Sequence, residues 1–89
     1  MKTLSDFKRE AVVGSKWHTT YRRGDYFEDR GIREIDQVQT KKIRLKRDDG
    51  KISYFDFPTS KEVRFVSNNT MEYFDDALDI VIVFTLITE

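Results

Sequence analysis

The stretch Lys41 to Phe57, KKIRLKRDDGKISYFDF, constrains the fold more than any other, because two alternating runs flank a turn-forming Asp-Asp-Gly. Register decides which side chains share a face, since a slip of one residue moves every side chain to the opposite side of the sheet. A two-residue turn at Asp49-Gly50 pairs Leu45 with Tyr54 and Ile43 with Asp56, and strands Phe55 and Phe57 among Lys42, Arg44 and Lys46. A three-residue loop Asp48-Asp49-Gly50, with Gly50 left-handed, instead sets Leu45 opposite Ser53, Ile43 opposite Phe55 and Lys41 opposite Phe57. Its outer face then holds Lys42 opposite Asp56, Arg44 opposite Tyr54 and Lys46 opposite Ile52. Opposite charges and an arginine on an aromatic ring are favourable cross-strand neighbours, so this second register is expected.

An 89-residue chain is expected to form a single domain spanning residues 1–89, with enough buried surface for a core of its own. It has no cysteine, so disulfides and thiolate zinc sites are excluded, which fits a reducing cytoplasm. No run of about 18 apolar residues and no signal-peptide pattern is present, so no membrane partner is expected. The 16 basic and 16 acidic residues cancel, and any charged partner must meet a local patch.

The chain opens with a helix expected over about residues 3–13, where Thr3 and Asp6 resemble a capping box and Leu4, Phe7, Ala11 and Val12 recur at helical spacing. Gly14 stands where a C-terminal cap is expected. Residues 15–87 read as β-rich. Trp17, Thr19 and Tyr21 alternate with His18 and Thr20 in a first strand. Gly24 to Gly31 is polar, carries Tyr26 and Phe27 without alternation, and reads as a mobile loop of the kind that carries function. From Ile32 to Thr40 the alternation breaks, which predicts a bend or bulge. Pro58 ends the hairpin, Ser60-Lys61-Glu62 reads as one turn, and short strands follow at Val63 to Phe65 and Met71 to Phe74. The final run, Ile80 to Ile87, is apolar on both faces: Ile80, Ile82, Phe84 and Leu86 on one, Val81, Val83 and Ile87 on the other. It needs cover on both sides. The helix is expected to cover one of them in a monomer; a second copy doing so would make the protein a homodimer.

The fold expected is therefore mainly β: a small SH3-like barrel or strongly bent antiparallel sheet with one short N-terminal helix. The order of short helix, Val13-Gly14-Ser15-Lys16, strand, loop, Arg33 through Val38-Gln39-Thr40, basic strand, Asp49-Gly50-Lys51 and Ser53-Tyr54-Phe55-Asp56-Phe57-Pro58 resembles small SH3-like barrel proteins encoded by bacteriophages and related mobile elements. The resemblance covers about Leu4 to Tyr73 and includes no catalytic motif. It implies an accessory protein that engages and inhibits a host protein, such as a defence protein, in the host cytoplasm.

The residues themselves give little chemistry. His18 is the only histidine and has no cysteine partner, and nucleotide-binding and nucleophile-elbow motifs are absent, so an enzyme, a metal site and a cofactor are not expected. Glu72, Asp75, Asp76 and Asp79 place four acids within eight residues, a spacing that could imitate phosphates in a basic groove of another protein. With Tyr26 and Phe27 they form the expected partner-binding set. The alternative partner is nucleic acid, tracked by Lys42, Arg44 and Lys46 while Tyr54 stacks a base.

Overall fold

The computed structural model describes residues 1–88. Strands β3 (Lys42–Arg47) and β4 (Ile52–Asp56) form the hairpin in the second register, with Ile43 opposite Phe55, Leu45 opposite Ser53 and Arg44 opposite Tyr54. Gly50 has φ +87° and donates its N–H to the Arg47 carbonyl at 3.0 Å, while Arg47 N–H donates to Lys51 across the loop. The left-handed position is filled by the residue that adopts it without strain.

The remaining strands are β1 (Lys16–Arg23), β2 (Tyr26–Val38), β5 (Val63–Ser67), β6 (Thr70–Asp75) and β7 (Ile80–Leu86). All seven form one antiparallel sheet in the order β4-β3-β2-β1-β7-β6-β5. The expected break before Thr40 is a bulge: Ile35 pairs with Leu45 and Gln37 with Arg44, leaving Asp36 as the extra residue. The expected loop over Gly24 to Gly31 is not a loop. Arg23 pairs with Tyr26, so only Gly24 and Asp25 turn, with Gly24 at φ +58° as a two-residue hairpin of this type requires. Its alternation was hidden by a second bulge, where Thr19 faces Gly31 and Thr20 faces Asp29, leaving Arg30 extra. Bulges add bend and twist. Two of them in one 13-residue strand curl the sheet until Phe55 of β4 meets Tyr73 of β6 edge to face, ring centres 5.5 Å apart.

Helix α1 (Leu4–Glu10) plugs the concave side. Thr3 and Asp6 form the expected capping box, each backbone N–H donating to the other's side chain at 3.2 Å. The helix is shorter than expected and ends at Ala11. Gly14, at φ +92°, donates to Ile35 and so extends the sheet instead of capping the helix. Phe7 is fully buried, its ring centre 5.3 Å from Trp17 and 5.9 Å from Phe84. Val12 lies beyond the helix and is exposed. A radius of gyration of 12.3 Å matches the value of about 12 Å for one domain of this length.

The expected covering of β7 on both sides is corrected. Helix and sheet core meet on the same face, that of Phe84, Ile82 and Leu86. Val81 and Val83 lie on the convex face, shielded only by neighbours in the sheet, because a curled sheet has a single interior. Among the described residues no helix is long and apolar enough to cross a membrane.

Candidate functional site

The convex face is ordered in rows by the register. Phe27 on β2 faces Arg22 on β1, Arg22 faces Val81 on β7, and Val81 faces Phe74 on β6. Directly paired residues share a face, so one apolar row interrupted by a single arginine crosses four strands. It lies at the end of the sheet where the β1–β2 and β6–β7 turns meet. Gly24 N–H donates to the Asp79 carbonyl at 3.1 Å, which fastens the two turns side by side. Leu78 is 50% exposed and Phe27 61% exposed, and the Asp25, Asp76 and Asp79 carboxylates stand in solvent around them.

The six residues of the expected partner-binding set are thus divided. Phe27, Asp76 and Asp79 gather at this end. Tyr26 points to the opposite, concave side, edge-on to Tyr21 at 6.3 Å. Asp75 accepts the Leu78 N–H at 3.2 Å and shapes the turn. Glu72 sits one row inward and accepts two hydrogen bonds from Arg64, at 2.7 and 3.1 Å, so its charge is already matched. Sequence separation had grouped four acids that strand geometry distributes. Asp79 also holds φ +54°, a left-handed conformation that aspartate tolerates better than most residues.

The basic stripe lies on the outer face of β3 and β4, as its alternation predicts, but among the described residues only Arg44 of its cations is ion-paired. Arg44 grips Asp36 with two hydrogen bonds, 2.8 and 3.2 Å, and these raise the arginine's pKa and hold the carboxyl below the usual carboxylate range. Lys42 faces Asp56 and lies 4.7 Å from the Tyr54 ring centre; Lys46 faces Glu34. The bulge residue Asp36 is what the sequence did not reveal as the partner of Arg44. His18 contacts Asp29 at 2.9 Å, and Asp29 is pushed low first by the Gly31 N–H and then by His18. Among the described residues no three His, Cys, Asp or Glu side chains gather in a way that could hold a metal ion.

One group of residues was missed. Arg33 of β2 stands directly opposite Arg47 of β3 on the concave side, and Arg30 at the bulge and Lys51 after the hairpin loop border the same opening. Arg33 is only 8% exposed. Its Nη1 donates to Ser53 at 2.6 Å, and its buried Nε has no partner. Arg30 is held by Glu28 at 2.7 Å and lies 4.2 Å above the Tyr21 ring; Arg47 reaches Asp49 at 3.2 Å. Burial first, then the charges of Arg30 and Arg47, lowers the Arg33 pKa. The signal available in the sequence was an arginine two residues before the inward-facing Ile35, a position where a strand ordinarily carries an apolar side chain.

No protein-family model matches the chain, and no curated protein and no solved structure is significantly similar to it.

Proposed function

We propose that the protein is a non-enzymatic binding module that engages another protein through the turn-bearing end of its convex face. The observation that carries this reading is the juxtaposition of the Phe27–Val81–Phe74 row with Leu78 and the carboxylates of Asp25, Asp76 and Asp79. Aromatic side chains seated at the centre of a contact and ringed by polar groups are the usual anchors of protein interfaces. The acidic rim speeds encounter with a partner whose matching pocket is framed by lysine or arginine. Under the phage-type reading, that partner is a host protein inhibited by occupation of its surface.

Capture from a bacterial lysate with the tagged protein, read by mass spectrometry, tests this. A retained protein should disappear from the double variant Phe27→Ser, Asp76→Lys while the variant keeps its circular dichroism spectrum. Identical captured sets for the two proteins overturn the assignment.

A further inference from the structure

We propose that the concave opening between β2, β3 and the hairpin loop binds a phosphate monoester through Arg33, Arg47, Arg30 and Lys51, a site separate from the convex surface. Like charges directly opposite on neighbouring strands destabilise a sheet, and Arg33 and Arg47 are placed that way. A buried cation with an unpaired donor adds a second cost, and Arg33 carries that too through Nε. Glu28 and Asp49 act on the Arg33 charge only from a distance, since both are bonded to other arginines, and the one side-chain partner of Arg33 among the described residues is the neutral Ser53 hydroxyl. An oxyanion in the opening relieves the repulsion between the two arginines, and guanidinium groups present a planar fork of donors that fits phosphate oxygens.

Charge and access select the ligand. Four cations border the opening and two carboxylates, Glu28 and Asp49, are already bonded to Arg30 and Arg47, which leaves an excess of two positive charges. A phosphate monoester carries close to two negative charges at pH 7 and so balances the site. Arg33 is nearly buried, so the charge must arrive on a terminal group that can enter. An internal phosphodiester of a nucleic acid has one charge and is substituted on two oxygens, and it meets neither condition. Free phosphate and the terminal phosphate of a nucleotide share the required chemistry.

Titration calorimetry in low-chloride buffer with inorganic phosphate, a nucleoside 5′-monophosphate, the parent nucleoside and an end-blocked oligonucleotide tests the site. Both phosphates should bind and the nucleoside should not; a nucleotide that binds at least as tightly as inorganic phosphate supports a monoester as the ligand, and one that binds more weakly overturns it in favour of free phosphate. Arg47→Gln, at the rim, should weaken either by about tenfold or more without lowering the melting temperature in phosphate-free buffer, since it too removes one of two opposed charges. Arg33→Met should abolish the phosphate-dependent rise in melting temperature without lowering the phosphate-free value, since it removes a destabilising charge. The proposal is overturned if neither phosphate binds, if the end-blocked oligonucleotide binds as tightly as the monoester, or if Arg47→Gln leaves phosphate binding intact.

Discussion

Phe55 of β4 lies 4.6 Å, ring centre to ring centre, from Phe84 of β7, although β3, β2 and β1 stand between their strands in the sheet. The contact exists because the bulges at Arg30 and Asp36 curl β2, and it converts a one-layer sheet into a structure with an inside and an outside. Every assignment of surface and core depends on that division.

The first prediction contrasts the two faces of β7. Phe84→Ala should cost about 3–5 kcal/mol, because Phe84 packs against Phe7, Trp17 and Phe55 and nothing can collapse into the space without moving the helix. Against a total stability of about 5–15 kcal/mol, that is a large share. Val83→Asp, one residue away on the convex face between Thr20 and Glu72, should cost about 1 kcal/mol and leave the domain folded. Urea midpoints measured for the two variants decide it; an unfolded Val83→Asp protein means that the convex face is covered.

The second concerns acid. Asp6, Glu28, Asp29, Asp36 and Asp49 are all held below their ordinary values, chiefly by N–H donors at Asp6, Asp29 and Asp49 and by arginines at Glu28 and Asp36. A depressed native pKa means that between the native and unfolded values the unfolded chain binds more protons, so stability falls as pH falls. The urea midpoint should therefore stay level from neutral pH down to the ordinary carboxylate range of about 4 and drop below it. Asp36→Asn should flatten that drop in part. A midpoint that rises on acidification contradicts the bonding seen at all five carboxyls.

The hairpin was legible in the sequence because its turn and its two phenylalanines allow one register that buries Phe55. Strand β2 was not, since Arg30 shifts the phase of alternation and puts Glu28 and Arg33, an odd number of residues apart, on one face. The two apolar faces of β7 suggested two layers of cover, and only the curl of the sheet shows that one face is inside. Arg33 and Arg47 are distant in sequence and meet through the β2–β3 register, and that register depends on bulges which composition does not reveal.

The third prediction addresses nucleic acid. Arg44 is ion-paired with Asp36, and Lys42 and Lys46 stand opposite Asp56 and Glu34 in the register, so acidic neighbours reduce the stripe's attraction for phosphates. Charge reversal at the three positions should leave retention of mixed DNA and RNA in a low-salt gel shift as weak as in the unaltered protein. It should also lower the urea midpoint, because Arg44→Glu sets a carboxylate against Asp36. Tight retention by the unaltered protein that is lost on reversal, with a salt slope reduced by about one per lost phosphate contact, establishes the basic strand as a nucleic-acid surface.

The last prediction separates the shape of the turn-bearing end from its charge. Gly24 has φ +58° and its N–H holds the Asp79 carbonyl, so Gly24→Ala forces a side chain into left-handed backbone at a cost of roughly 1–2 kcal/mol. A Cβ there meets the Asp79 carboxylate only at ordinary contact distance, 3.7 Å, so the strain resides in the backbone and should relax by parting the two turns. Asp79→Asn keeps a residue that tolerates φ +54° and removes only the charge. If the end of the sheet is the partner surface, Gly24→Ala should release the captured protein at every ionic strength. Asp79→Asn should slow association at low salt and have little effect at about 0.5 M salt, where exposed charges are screened within a few ångströms. Surface plasmon resonance with the captured protein at two salt concentrations distinguishes these behaviours, and an unchanged association rate for both variants removes the turns from the interface.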